Sequence, residues 1–330
     1  MVVLLFISCK KDETKVVASN GTAPVLTSTA PARMVFTEDN AAANAAVFNW
    51  TASSFGFKGS VVSYSIEVAA AGTNFKPVRE ITVGAGLTAT VTVGTLNSLA
   101  NQLNLVPGLD GKIEMRVKAS ISQYYAPAYS NVLTYTVNPY QIIIDYPSLY
   151  VPGAYQNWTP ATASKISSVL DNKEYEGFIN FVAAGEFKFN PAPNWDHSYG
   201  TNSTGTIVLD GGNNLSVPSP GYYLLKANTA ALTWSAVKTT WTVLGTAAGA
   251  ETAMTYDAAA NVWTVTKALS AGTLKFRANG ADTINFGSAE TANGKLVANG
   301  TAIPVVTAGT YKITFNVSIP GNYVYSIVAQ

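Results

Sequence analysis

One cysteine and one histidine in 330 residues leave little room for several kinds of chemistry. Cys9 has no partner for an intrachain disulfide. The single histidine, His197, supplies neither a metal-binding cluster nor a convincing histidine-based triad, and it reads as a loop residue. Charge is scarce too: Asp, Glu, Lys and Arg make up 12% of the chain, about half the usual share, and the formal net charge is +1. No Lys/Arg run stands out, so no field steers nucleic acid or an anionic membrane surface. Neither a phosphate-binding loop nor metal-ligand spacing is present. Carboxylates exist at Asp171, Glu174, Glu176, Glu186, Asp196 and Asp210, but no spacing selects the pair that glycoside hydrolysis requires. The expectation is a chain with no catalytic residues, no cofactor and no metal.

Long hydrophobic runs are also missing. The first eight residues, Met1 to Ser8, are mostly apolar but too short to span a bilayer. With Phe6-Ile7-Ser8-Cys9 they read as the end of a secretory signal and a degenerate lipobox, although a basic leading region is absent. Cys9 is then the expected lipidation site, and the lipid the only membrane attachment. Residues 10–23 are small and polar, as a flexible tether would be.

What the chain has in quantity is Ser, Thr, Asn, Gly, Val, Tyr and Trp, with 48% hydrophobic and 11% aromatic residues. That palette suits short strands with polar outer faces, and recognition of neutral, hydroxyl-rich ligands. Val62, Tyr64, Ile66 and Val68 alternate with polar residues, as do Ile113, Met115, Val117 and Ala119. Leu96, Leu99, Leu103 and Leu105 suggest a short helix or irregular crossing. About seven short strands over residues 24–139 predict an immunoglobulin-like or fibronectin-like sandwich, with Trp50 in its core. Asn138-Pro139-Tyr140 marks a boundary.

Residues 140–239 predict a second β-sandwich. Phe187 and Phe189 share one strand face, which turns Lys188 to the other. Trp158 and Trp195 lie beside Asn and Pro in turn-like stretches, where an indole has no packing reason to be. These three residues predict an aromatic and cationic platform for a sugar chain. Residues 240–330 repeat the pattern. Gly272–Asn279 parallels Gly185–Asn190, Ile284–Gly287 parallels His197–Gly200, and Ala308–Asn316 parallels Pro220–Asn228. The repeat has Gly249-Ala250-Glu251 opposite Trp158 and Ala281-Asp282 opposite Trp195, so it keeps Lys275 and Arg277 without a platform tryptophan. Trp241 and Trp263, within strand-like alternation, are expected in its core. The fold class is all-β, with three tandem sandwiches.

The lipobox, a sandwich with Phe48-Asn49-Trp50 and a Val-x-Tyr-x-Ile pattern (Val62, Tyr64, Ile66), and tandem modules with Phe-Lys-Phe, Trp, Tyr-Gly and Pro-Gly-Tyr-Tyr together resemble the SusE/SusF outer-membrane starch-binding lipoproteins of Bacteroidetes. The likeness covers nearly the whole chain after Cys9. Lys10-Lys11-Asp12-Glu13 resembles the charged signal that sends such lipoproteins to the cell surface. The resemblance implies an immunoglobulin-like stalk, carbohydrate-binding sandwiches, exposure beside a SusC/SusD transport pair, starch or maltooligosaccharide as ligand, and no catalysis. It places Trp158, Lys188 and Trp195 on the glycan, with Tyr199, Asn213 and Asn214 as hydrogen-bonding edges. A different glycan, or a structural or adhesive surface protein that binds none, are the competing readings. The adhesive reading predicts that removing both platform tryptophans changes no glycan binding.

Overall fold

The computed structural model describes residues 19–56, 61–289 and 294–330. Cys9 and residues 10–18 of the expected tether lie outside them. Among the described residues no helix is long and apolar enough to cross a membrane. The chain forms two compact units, Met1–Gln141 and Ile142–Gln330.

In the first unit a three-stranded sheet (Leu26–Ser28, Asn44–Trp50, Thr88–Thr92) faces a larger one. The larger sheet has the order Arg33–Val35, Leu133–Asn138, Gly111–Ser120, Ser63–Ala70 and Arg79–Gly84. Strict alternation in Gly111–Ser120 sends Ile113, Met115, Val117 and Ala119 inward, where they meet Phe48, Trp50, Ile66 and Val68. The leucine run starts in one helix, Val93–Gln102, capped by the Thr92 hydroxyl accepting from the Thr95 amide, and Leu103 and Leu105 follow its end. Ser19 and Thr22, expected in the tether, are instead tied down. Their amides donate to the carbonyls of Phe55 and Ser54 at 2.9 Å, and Gly21 passes under the Phe55 ring. One strand departs from simple alternation: Glu67 is 4% exposed on what should be the outer face. Arg116 covers it, with its guanidinium 2.7 Å from the carboxylate and between the rings of Phe75 and Tyr129, at 3.9 and 3.8 Å from their centroids.

The second unit is built around a five-stranded antiparallel sheet: Ser148–Tyr150, Lys165–Ser167, Glu174–Phe181, Gly221–Asn228 and Thr233–Thr239. Its two central strands carry unbroken apolar stretches, Phe178-Ile179 and Tyr222 to Leu225, and such runs signal burial on both faces. One face presents Ile179, Phe181, Tyr223 and Leu225 to Phe187, Phe189, Leu215 and Val217 from the short strands opposite, closing a sandwich core. The other face presents Phe178, Tyr222 and Leu224 to a different core, that of residues 241–330.

That C-terminal sandwich pairs a six-stranded sheet, centred on Gly272–Ala278, with a four-stranded one, centred on Val262–Leu269 and Gly309–Asn316. Trp241, Phe276, Phe286 and Phe315 fill its interior, and Trp263 joins them at 7% exposure. The strand Gly309–Asn316 buries only alternate residues, Ile313 and Phe315, as a strand covered on one face does. The expected boundary at residues 239 and 240 falls between Thr233–Thr239 and Trp241–Leu244, while the apolar core runs across it.

Candidate functional site

The platform grows from the strands opposite the five-stranded sheet. Phe187 and Phe189 are fully buried, which leaves the Lys188 side chain on the outer face. The Lys188 amide donates to the Pro152 carbonyl at 2.9 Å. Next to it, Gly153 approaches so closely that a Cβ would lie 2.6 Å from the Glu186 carbonyl oxygen. From this close pairing the chain turns through a short 3-10 segment, Ala154–Gln156, and doubles back so that the Trp158 amide donates to the Gly153 carbonyl at 2.9 Å. Asn157 and Trp158 both take left-handed backbone, with φ of 60° and 56°. For an indole-bearing residue that conformation is uncommon and strained. The Gln156 side chain staples the turn, accepting from the Thr159 amide and donating to its carbonyl at 2.7 and 3.1 Å.

Trp195 comes from the loop beyond Phe189. Buried Asn190 donates to the Asn194 carbonyl at 2.6 Å, and Asn194 in turn accepts from the Asp196 amide at 3.2 Å. The far end of the loop is held by Asp210. It accepts from the Ser198 amide at 3.2 Å and pairs with His197 Nδ1 at 2.7 Å, and its own amide donates to the Ser198 carbonyl at 2.8 Å. The hydrogen bond from His197 holds the Asp210 carboxyl below its ordinary value. The indoles of Trp158 and Trp195 meet with centroids 6.2 Å apart and planes 38° from parallel. Trp195 is 48% exposed and Trp158 half-buried. The other four tryptophans are elsewhere: Trp50, Trp241 and Trp263 are buried, and Trp234 packs edge-on against Phe187 and Phe189.

Lys188 runs over Gly200, where a Cβ would stand 2.6 Å from its Nζ and 2.4 Å from the Gly211 carbonyl oxygen. The ammonium reaches the Gly212 carbonyl at 3.5 Å, which leaves donor capacity for a ligand. Asn213 is exposed beside it, its backbone paired with Thr201. Asn214 differs, because its carboxamide donates to Glu186 at 2.8 Å. Tyr199 differs too. It pairs with Phe189 across the sheet, so its ring shares the Phe189 face, away from Lys188, and burial raises its hydroxyl pKa. Structure thus joins Trp158 to Trp195, and Lys188 to Gly200 and Asn213, while turning Tyr199 inward and occupying Asn214. Asn190, His197 and Asp210 are positioning residues that sequence reading missed. Only the chemistry of a buried Asn and an Asp–His pair could have signalled them, and neither has a fixed spacing.

A groove of 610 Å³ in this unit lies elsewhere and is lined by residues including Leu170, Glu174, Glu176, Lys226 and Trp234. Its charges are internally matched, with Lys226 3.2 Å from Glu176 and Glu174 accepting from Asn172 at 3.1 Å. Among the described residues no group of three or more His, Cys, Asp or Glu could hold a metal ion.

The C-terminal copy keeps the scaffold of the platform. Gly245 repeats the close approach of Gly153, against the Thr273 carbonyl, and Gly287 repeats that of Gly200, against the Thr301 carbonyl. Gly249, with φ of 64°, takes the place of Asn157. The two loops end differently. Arg277 is bidentate to Glu251, with one contact at 2.8 Å, and lies 3.2 Å from Asp282. The guanidinium draws the Glu251 carboxyl down to about 2. An ion cluster stands where the other copy has its tryptophans.

The structure is thus a set of tandem all-β sandwiches, one of which displays a pair of partly exposed indoles on an outer face. Residues 11–118 match the family of the SusE outer membrane protein. The crystal structure of SusF from Bacteroides thetaiotaomicron aligns with 16% identity and a TM-score of 0.27, covering 93% of this chain and 77% of that one. No curated protein matches the sequence.

Proposed function

We propose that the platform of Trp158, Lys188 and Trp195 holds a glucan chain at the cell surface without chemical change to it. The observation that carries this reading is the pair of indoles, 6.2 Å apart and inclined by 38°, one of them 48% exposed. A pyranose presents an apolar face of C–H groups, and an indole that covers it removes both surfaces from water. Left-handed backbone at Trp158 supports a role beyond packing, since strain of this kind persists where function needs it. The inclination of the rings follows a curved α-glucan better than a flat β-glucan. Starch or maltooligosaccharide is therefore the proposed ligand, with Lys188 and Asn213 donating to hydroxyls at its rim.

One such site is expected to bind in the millimolar to micromolar range, because ordering the glycan offsets much of the stacking gain. Avidity on a surface would raise it. The match of the N-terminal region to an outer-membrane family supports placement there. Attachment through a lipid on Cys9, outward orientation and handover of the glucan to a SusC/SusD-type transporter complete the proposal. Native affinity electrophoresis of residues 20–330 in gels containing amylopectin, pullulan, dextran or a β-glucan tests it. Retardation in amylopectin, lost in Trp158→Ala/Trp195→Ala, is expected. Free migration of folded protein in every gel would reject glycan binding, and retardation by dextran or β-glucan alone would replace the ligand.

A further inference from the structure

The C-terminal sandwich has an ion cluster where a platform would be, yet it is fused to its neighbour more closely than beads on a string would be. The connection between Thr233–Thr239 and Trp241–Leu244 is Thr240 alone, which leaves no hinge. Phe178, Tyr222 and Leu224 are 3–5% exposed, and their partners are across that connection. Phe178 stands 5.7 Å from Trp241 and 6.1 Å from Phe286 on the six-stranded sheet, and 5.7 Å from Tyr323. Tyr222 stands 5.8 Å from Trp263 and 5.0 Å from Tyr256 on the four-stranded sheet. The three side chains therefore complete a core to which both C-terminal sheets contribute. Polar ties surround them. Asn279 donates to the Lys238 carbonyl at 2.8 Å and accepts from the Thr240 amide at 2.9 Å, while Asn322 accepts from the Ile144 amide at 2.9 Å and donates to its carbonyl at 3.0 Å.

We propose that the C-terminal sandwich is the permanent intramolecular partner of the platform sandwich, docked on the Phe178–Tyr222–Leu224 face, and that the two unfold as one cooperative body. Separation would expose these three side chains and the ring edges they touch, on the order of 500–1,000 Å² of apolar surface, at or above the largest apolar patch of a typical monomer. The same strands carry Ile179, Phe181, Tyr223 and Leu225 on the opposite face, against the phenylalanines that flank Lys188. The sheet thus couples the C-terminal core to the scaffold of the platform. This inference concerns folding and holds whether or not the platform binds glycan.

Native-state hydrogen exchange of residues 20–330, read by mass spectrometry across a guanidinium series, tests it. The peptides containing Phe178–Phe181, Tyr222–Leu225 and Ile313–Val317 are expected to open with a common denaturant dependence. Phe315→Ala, which removes a fully buried ring of the C-terminal core, is expected to raise exchange in all three segments by the same factor, roughly 150- to 5,000-fold. Gly111–Ser120 of the first unit serves as the unaffected reference. If Ile313–Val317 opens first while 174–181 and 221–228 stay protected, the proposal is wrong. The series on the unsubstituted chain decides the matter even if the variant does not fold.

Discussion

Replacing Trp195 by alanine separates a binding role from a packing role, provided Trp241→Ala is made beside it. Trp195 is 48% exposed and Trp241 is 1% exposed. An indole offers roughly 150–250 Å² in all, so Trp195 leaves roughly 70–120 Å² in water. A sugar covers one face of that, about half, and loses a similar area of its own. At about 25 cal/mol per Å² the contact is worth about 2 kcal/mol, which is roughly 30-fold in affinity. The buried half of the ring, roughly 80–130 Å², packs in part against Trp158, and losing it costs about 2–3 kcal/mol of stability. Trp241→Ala removes a ring enclosed by Phe178, Phe286 and Phe315 and is expected to cost about 3–5 kcal/mol. Calorimetric titration with maltooligosaccharides gives the affinities, and urea unfolding followed by fluorescence gives the stabilities. The expected pattern is weak binding with a modest stability loss for Trp195→Ala, and a large stability loss for Trp241→Ala. If Trp195→Ala binds within twofold of the unsubstituted chain, the stacking argument fails.

Three further outcomes are expected. Gly200→Ala places a Cβ 2.4 Å from the Gly211 carbonyl oxygen and 2.6 Å from Lys188 Nζ, so it should cost about 3 kcal/mol and displace the lysine, seen as a lower urea midpoint together with reduced retardation in glucan gels. Asn190→Ala frees the Asn194 carbonyl from its anchor, lowering stability by about 1 kcal/mol and increasing hydrogen exchange through residues 194–198. Glu251 has its carboxyl lowered to about 2 in the folded chain, chiefly by the hydrogen bond from Arg277, against an ordinary value of 4.5. Because the folded value is the lower one, its stabilising contribution is complete above about pH 4.5 and disappears as pH falls toward 2. Glu251→Gln should flatten that limb of an acid-unfolding curve, and an unchanged limb would remove the ion cluster from the account.

The strands were legible because their alternation follows directly from one-sided burial, as in Ile113 to Ala119. The division of the tryptophans was legible for a related reason: Trp241 and Trp263 sit within alternating strands, whereas Trp158 and Trp195 sit among turn residues. Residue type at a turn does not reveal which way a neighbouring strand faces, however. Tyr199 shares a side with Phe189 only because the two are paired across the sheet, a long-range register that local pattern does not encode. Asn214 looked available until Glu186, distant in sequence, came within 2.8 Å of it. The tether reading ran into Ser19 and Thr22 because their polar side chains look solvated, while their backbone amides are held by Ser54 and Phe55. The shared core had a readable sign that alternation arguments pass over. Tyr222 to Leu225 is apolar at every position, whereas the matching strand of the repeat, Gly309–Asn316, is not.

The paired glycines bear on how such a duplicated module changes its use. Gly153 and Gly245, like Gly200 and Gly287, hold backbone against backbone at distances no side chain permits. What the two copies have in common is thus steric and internal, while what distinguishes them lies mainly in the loops, Trp158 and Trp195 in one copy and Glu251 and Asp282 in the other. A surface of this kind is inexpensive to replace. Exchanging a few residues turns a pair of indoles into an ion cluster and leaves the mould intact, so divergence at the surface can outrun divergence in fold.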